Sequence, residues 1–160
     1  MENESRKEPR IDPGCKYDEL ADPNTLKQDP RNRNKHKPEQ LEAIAKVLSF
    51  QGWRRPVSVS MLTGHVTAGW GRVCTAKKYG WKVPIVYQTY TDADQQYADI
   101  IADNAIAKWA NLDRGEINND LQDLELPDLD VLGMEGFDID PKAKEKKKMK
   151  CPKCGEEFLR

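Results

Sequence analysis

The chain has little of what membrane-spanning and secreted proteins contain. No run of residues approaches the roughly 18 to 20 apolar side chains that cross a bilayer, and the mean hydropathy of the 160 residues is −0.84. The first ten residues lack the basic and then apolar pattern of an export leader. The four cysteines are too few and too scattered for a disulfide framework. These absences predict a cytoplasmic protein of one domain plus tails that contacts no membrane.

A net charge of −1 conceals three blocks of different sign. Residues 1–91 carry 16 Lys and Arg against 10 Asp and Glu, residues 92–140 carry 2 against 14, and residues 141–160 carry 8 against 3. A basic first block suits a nucleotide or a nucleic acid as ligand, whereas the acidic block would repel a polyanion from the face that it covers.

The segment from His65 to Gly80 predicts a short strand, a tight turn and a helix that begins near Gly71. Gly69 and Gly71 have no Cβ to keep a ligand away from the backbone, and the helix start offers free N–H groups. Arg72 adds a forked guanidinium that suits a phosphate. We interpret the segment as a phosphate-binding turn. The alternative is a helix start whose glycines serve the turn alone.

The neighbouring elements follow from periodicity and from helix stop signals. A helix is expected from Pro38 to Gln51, and strands are expected at 57–59 and 82–87. Pro84 predicts that the second strand lies at an edge of the sheet or that the proline stands at a strand end. A capping box that begins at Thr91 predicts the longest helix.

Asn104 falls on the apolar stripe of this last helix, between Ile100 and Lys108. An amide buried there without a partner would cost roughly 1 to 3 kcal/mol. Asn104 is therefore expected to bind a backbone or ligand group. A further helix is expected after Asp113, where a second capping box begins.

Together these pieces resemble the ParB/sulfiredoxin-like (ParB N-terminal-like) domain, in the form found in phage and mobile-element proteins. The likeness covers about residues 24–138. It is carried by the basic loop Asn32 to Pro38, Gly52-Trp53-Arg54-Arg55-Pro56, Thr67-Ala68-Gly69-Trp70-Gly71-Arg72 with Ala76 and Tyr79-Gly80, Ala102-Asp103-Asn104, and Gly136-Phe137-Asp138. The resemblance implies an α/β (α+β) fold, in which a small mixed sheet with flanking helices forms one compact domain.

The resemblance also implies a nucleotide cofactor, CTP or ATP, accompanied by Mg²⁺. The implied nucleotide and phosphate site consists of Gly69, Trp70, Gly71, Arg72, Arg54, Arg55 and Asn104. Family members include CTP switches, kinases, a sulfur reductase and proteins labelled nucleases, so the family name leaves the chemistry open. Trp70 stands where many relatives have His or Glu, and its indole has no proton to exchange near neutral pH.

The leading interpretation is a nucleotide-binding accessory or regulatory module for DNA transactions of a phage or mobile element, working in the bacterial host cell. One alternative is an enzyme of the same fold, either a nuclease or a small-molecule kinase, with weak NTP hydrolysis as its mildest form. The other is a DNA-binding adaptor that needs no nucleotide.

The expected organisation has four parts. These are a flexible arm at 1–23, the ParB/sulfiredoxin-like domain at 24–140, a basic linker at 141–150 and half of a zinc knuckle at 151–160.

Cys151 and Cys154 in the last part have the spacing of two thiolates that grip one Zn²⁺ from a tight turn. A second copy of the chain could supply the other two ligands and form a homodimer. The remaining candidates for those ligands are Cys15, His36 and His65.

Overall fold

The computed structural model describes residues 6–106, Glu116, and the backbone of residues 148–150 and 157–159. In the first of these parts five strands alternate with three helices. The strands are β1 (Glu19–Ala21), β2 (Lys27–Gln28), β3 (Val57–Ser60), β4 (His65–Ala68) and β5 (Val83–Gln88); the helices are α1 (Pro38–Gln51), α2 (Trp70–Tyr79) and α3 (Ala93–Ile106). This architecture confirms the predicted α/β class with its small mixed sheet.

The sheet has the strand order β1-β5-β3-β4-β2. The central strand β3 runs parallel to β5 and antiparallel to β4. On the two edges, β1 is antiparallel to β5 and β2 is parallel to β4. The strand β4 and the helix α2 meet at a turn, and this turn carries the candidate site.

Two tryptophans and a set of valines fill the core. Trp53 and Trp81 are each 1% exposed. The indole N–H of Trp81 donates to the Arg6 carbonyl at 3.0 Å, which satisfies its polar atom and holds the first described residues against the domain. Ala45 and Leu48 present the buried face of α1.

The helix limits follow the local signals in the sequence. Pro38 opens α1, where its missing N–H costs no hydrogen bond. Gly52 and Gly80, at the ends of α1 and α2, have φ angles of 77° and 72°. Glycine adopts this left-handed region readily, and each of the two N–H groups bonds back to a carbonyl of its helix.

Of the two places predicted for Pro84, the sheet edge is wrong, because β5 lies inside the sheet between β1 and β3. The strand end is confirmed, because Pro84 is the second residue of β5. Its pairing with β3 begins at Ile85 opposite Val57. Pro84 comes one residue earlier, so its missing N–H removes no bond from that ladder.

The interval 1–23 was expected to be a flexible arm, but its described residues take part in the fold. Ile11 bridges to Trp53, and Glu19–Ala21 pair with β5. Cys15 is buried in the core. The sequence does not indicate the edge strand β1, because three residues are too few to show an alternation of polar and apolar side chains. The prolines and polar residues around it also favour an irregular segment.

The start of α3 also differs in detail from the expected capping box at Thr91. Asp92 is the capping residue, because its Oδ1 accepts the N–H groups of Asp94 at 3.0 Å and Gln95 at 2.8 Å. Gln95 in turn accepts the Thr91 N–H at 2.7 Å.

Near the end of the chain, strands β6 (Lys148–Lys150) and β7 (Glu157–Leu159) pair in antiparallel fashion. The proposed zinc ligands Cys151 and Cys154 lie between them but outside the described residues. Of the helix expected after Asp113, the structure describes Glu116, which is helical. Among the described residues, no helix is long and apolar enough to cross a membrane.

Candidate functional site

The turn between β4 and α2 is built around Gly69. This glycine has φ 88° and ψ 21°, in the left-handed region. Its carbonyl accepts the N–H groups of Arg72 at 3.0 Å and Val73 at 3.3 Å. No side chain caps the helix. The N–H groups of Trp70 and Gly71 are those that a helix start leaves for a ligand.

The Arg72 side chain folds back over this turn. A Cβ added to Gly69 would lie 2.8 Å from the Nη2 atom of Arg72. The close approach of the guanidinium to the backbone at position 69 therefore requires a glycine there. The Nη1 group donates to the Arg55 carbonyl at 2.5 Å.

The charge of Arg72 is only partly offset by the described residues around it. Burial lowers the pKa of its guanidinium from the ordinary value, the charge of Arg55 lowers it further, and the charge of Asp103 acts in the opposite direction. The group still carries its proton at neutral pH. Within residues 6–106 no carboxylate lies at ion-pair distance from it. A half-buried cation in this state favours an anionic ligand.

A cavity of about 190 Å³ opens over the turn. Three segments form most of its wall: Asn32, Asn34 and His36 from the loop before α1, Thr67–Arg72 from the turn, and Asp103 with Asn104 from α3. The predicted residues Gly69, Trp70, Gly71, Arg72 and Asn104 therefore meet at one place.

Asn104 has the partners that its position required. Its Nδ2 donates to the Ile100 carbonyl at 2.7 Å, and its Oδ1 accepts from the Asn34 amide. This second bond joins α3 to the opposite wall of the cavity.

His36 is a wall residue that the sequence did not single out for this site. A Cβ on Gly71 would lie 3.0 Å from its Cε1 and 3.1 Å from its Nδ1, so the imidazole covers the start of α2. The Nδ1 atom lies 3.1 Å from Gln40 Oε1. Asn32 and Asn34 were missed as individual site residues in the same way. The one available signal was the polar loop directly before α1.

Arg54 and Arg55 are not part of this wall. They line an adjoining cavity of about 530 Å³ together with apolar residues of α1. Arg54 is paired with Asp12 at 3.6 Å, although its side chain is 57% exposed. Arg72 and Ile44 border both cavities. The predicted phosphate set is thus divided between two neighbouring spaces that meet at Arg72.

One acidic side chain of α3 reaches the site. Asp103 lines the first cavity, whereas Asp99 accepts the Tyr90 hydroxyl at 2.7 Å. In the part of the chain that the structure describes, no group of three or more His, Cys, Asp and Glu side chains could hold a metal ion. Burial raises the pKa of the Cys15 and Cys74 thiols from their ordinary values, so both are protonated at neutral pH.

No model of a known protein family matches the sequence, and no curated protein matches it. The solved structures that match include the crystal structure of the C-terminally truncated chromosome-partitioning protein ParB from Caulobacter crescentus complexed with CTP-γ-S, with a TM-score of 0.53. Sequence identity is 22%, and the match covers 65% of this chain and 60% of that chain. The chain thus spans less than two thirds of that protein. The likeness shows a ParB-like fold, which confirms the predicted domain type.

Proposed function

We propose that this ParB-like domain binds a nucleoside triphosphate, CTP or ATP, with its phosphates on the turn from Gly69 to Arg72. One observation carries the proposal: Arg72 is half-buried and unpaired by any described carboxylate, and it lies beside an uncapped helix start. Both features favour a phosphate. The bound CTP analogue in the Caulobacter protein of the same fold supports the same ligand class.

The two adjoining cavities suit the two parts of a nucleotide. The smaller one has the amides and the guanidinium that phosphate oxygens need. The larger one offers the aliphatic side chains of Val47 and Leu48 to a nucleoside, and Arg54 and Arg55 at its edge would flank the phosphates. Arg72 borders both cavities, so it would lie where the phosphates join the nucleoside.

Asp103 fits this arrangement if Mg²⁺ accompanies the nucleotide. A carboxylate alone would repel phosphate across the cavity, whereas Mg²⁺ accepts carboxylate, amide and phosphate oxygens together. Asp103 and Asn104 are the side chains of α3 that would hold the ion.

The wider role that we propose is regulatory: nucleotide occupancy would control an accessory module in DNA transactions. The excess of Lys and Arg in residues 1–91 is consistent with a polyanion nearby. A phage or mobile-element setting, the cytoplasm of a bacterial host, and dimerisation through zinc stay predictions.

A second candidate is an NTP-hydrolysing enzyme, in line with the nuclease and kinase alternatives. The observation in its favour is Asp103 on the same cavity as Arg72, since a positioned carboxylate can orient a nucleophile. Trp70 lines the same cavity, and its indole offers neither an acid nor a base. We therefore expect hydrolysis to be slow or absent.

The test is a calorimetric titration of the whole chain with CTP, ATP and their diphosphates, with and without Mg²⁺. We expect one triphosphate to bind at one site and to bind more tightly with Mg²⁺. Failure of every nucleotide to bind would overturn the proposal. Adding a short duplex at two salt concentrations tests the adaptor alternative, and analysis of the nucleotide afterwards tests hydrolysis.

A further inference from the structure

The wall of the smaller cavity depends on an irregular segment, residues 29–36, which we call the entry loop. It supplies Asn32, Asn34 and His36 to the cavity and runs between β2 and α1 without regular secondary structure. Side-chain contacts must therefore fix its shape. One such contact, Asn34 to Asn104, lies at the cavity itself.

The second fixing point is a buried polar cluster whose two main residues, Asp29 and Gln96, are not part of the cavity wall. Gln96 of α3 is fully buried, at 0% exposure, and Asp29 is 2% exposed. The Gln96 Nε2 group donates to Asp29 Oδ2 at 2.6 Å. Its Oε1 atom accepts the Ser60 hydroxyl at 2.6 Å. Neither Asp29 nor Gln96 lines the cavity.

The orientation of the Gln96 amide is determined by Ser60. The Ser60 oxygen already accepts two backbone N–H groups, from Leu62 at 3.1 Å and Thr63 at 3.3 Å. Both of its lone pairs are then used, so its proton must go to Gln96 Oε1. The amide nitrogen of Gln96 consequently faces Asp29, which must accept.

Asp29 is hydrogen-bonded to the backbone of the entry loop. Its Oδ1 atom accepts the Arg31 N–H at 2.8 Å, and its carbonyl accepts the Asn32 N–H at 2.9 Å. The Arg31 guanidinium then donates to the Ala93 carbonyl at 2.9 Å and lies 4.7 Å from the centre of the Tyr97 ring. The first turn of the loop is thereby joined to the first turns of α3.

We propose that Asp29 and Gln96 are positioning residues, which set nucleotide affinity by holding the entry loop against α3 in its ligand-binding shape. This inference rests on the proposed nucleotide function. Two further contacts belong to the network: the Thr63 hydroxyl lies 3.1 Å from Gln96 Nε2 and 3.2 Å from Gln96 Oε1, and Arg31 Nε lies 3.7 Å from Asp29 Oδ1. A buried network whose donors and acceptors are all matched specifies a single geometry, and it does so more strictly than apolar packing would.

The network allows a test by exchange of its two groups. Gln96→Glu places a carboxylate against Asp29, where the two charges repel each other unless the pair takes up a proton. Asp29→Asn places an amide N–H₂ against that of Gln96. Each single variant thus disturbs the contact, and Gln96→Glu does so most at a pH high enough to keep both carboxyls ionised. In the double variant, the new amide at position 29 keeps its oxygen for the Arg31 N–H and donates its N–H to the new carboxylate at position 96. The hydrogen bond between positions 29 and 96 is then restored with donor and acceptor exchanged, whereas the ion pair of position 29 with Arg31 Nε, at 3.7 Å, stays lost as it is in Asp29→Asn.

The measurements are nucleotide affinity and amide hydrogen exchange of residues 30–36 without nucleotide, both well below the melting temperature of each variant. We expect each single variant to bind nucleotide roughly tenfold or more weakly, which corresponds to about 1.4 kcal/mol of binding free energy. The backbone amides of its entry loop should also exchange hydrogen faster. The double variant should bind more tightly, and exchange more slowly in the entry loop, than Asp29→Asn, which lacks the same ion pair with Arg31. Gln88→Glu, the same change on an exposed residue of β5, is the control.

Two results would overturn the inference, and a third would overturn the proposed function on which it rests. Folded single variants with wild-type affinity would show that the pair does not position the loop for the ligand. A double variant that binds no more tightly than Asp29→Asn would show that the contact between positions 29 and 96 is not what matters. Wild-type protein that binds no nucleotide would overturn the proposed function instead. In that case, faster hydrogen exchange in the entry loop of the single variants would still show that Asp29 and Gln96 fix the loop.

Discussion

At the scale of single residues, Gly69 and Arg72 depend on each other. Gly69→Ala should cost about 1 to 2 kcal/mol for a left-handed alanine, and its Cβ would displace the guanidinium that lies 2.8 Å away. We therefore expect a lower melting temperature together with loss of nucleotide binding. Gly64→Ala is the matched control, because Gly64 has φ 71° and open space where its Cβ would be. Equal effects on binding in the two variants would contradict this account.

The fork of Arg72 is expected to matter as much as its charge. Arg72→Lys keeps the charge but loses the paired donors, one of which holds the Arg55 carbonyl. A charge-assisted hydrogen bond is worth roughly 1.5 to 3 kcal/mol, so affinity should fall about 10- to 100-fold. Lys16→Ala removes an exposed positive charge elsewhere and should change affinity little. Calorimetry on both variants distinguishes local recognition from overall charge.

The residue scale also shows which part of the site the sequence contains. Gly69 and Arg72 could be found because a turn into a helix imposes strict backbone requirements on neighbouring residues. His36 and Asn34 could not, since an irregular loop has no periodicity that tells which side chains face a cavity. Arg54 and Arg55 followed from the family resemblance, and the structure places them on the adjoining cavity.

At the scale of elements, α1 and α2 are joined by a polar clamp. Glu42 accepts hydrogen bonds from the Lys78 ammonium and from the Tyr79 hydroxyl, the latter at 2.9 Å. These two bonds lower the pKa of the Glu42 carboxyl from its ordinary 4.5. A lowered pKa means that the clamp stabilises the fold above the pKa of the unfolded chain. This stabilisation is lost as the pH falls through the folded-state pKa.

The clamp predicts a pH-dependent difference in stability. The melting temperature of wild type should exceed that of Glu42→Gln at neutral pH, and the gap should close as the pH falls below the ordinary carboxyl pKa of 4.5 and the folded-state carboxyl takes up its proton. The ion pair between Glu42 and Lys78 is exposed enough to be weakened by salt. Glu39→Gln, on the same helix at an exposed position, should show a smaller and less pH-dependent change. A gap that stays constant with pH would contradict the role of the carboxylate.

The strands β6 and β7 give the zinc hypothesis a testable form. They bracket Cys151 and Cys154, which supply two of the four ligands that a structural zinc needs. We expect about one zinc for every two chains, loss of the metal in Cys151→Ser and a shift toward monomer with a chelator. Cys74→Ser is the control. One zinc per chain would point to other ligands, and absence of zinc would refute the site.

Elements with end signals were predictable, and short edge strands were not. Proline and glycine mark both ends of α1, and glycine marks the end of α2. The strand β5 was found, but its place in the sheet depends on β1. That strand is three residues long and pairs with β5 over a distance of more than sixty residues in sequence. Such long-range pairing leaves no local trace.

At the scale of the whole molecule, the domain brings three distant segments to one cavity: the entry loop, the turn at Gly69 and the end of α3. A nucleotide bound there would contact all three at once. Its binding should therefore raise the melting temperature in proportion to the logarithm of its concentration. A thermal shift with CTP or ATP that is absent in Arg72→Lys would link the effect to this site.

The most direct measurement of the central claim is a ¹⁵N NMR titration of the whole chain with CTP-γ-S and with ATP. The account predicts that the largest shifts occur at the backbone amides of Gly69, Trp70 and Gly71, with further changes at the Asn34 and Asn104 side-chain amides. Amides at Gly64 and Gly80, two glycines of similar backbone conformation, should stay unchanged. Saturable shifts that leave the Gly69–Gly71 amides unmoved, or no shifts with either nucleotide, would contradict the account.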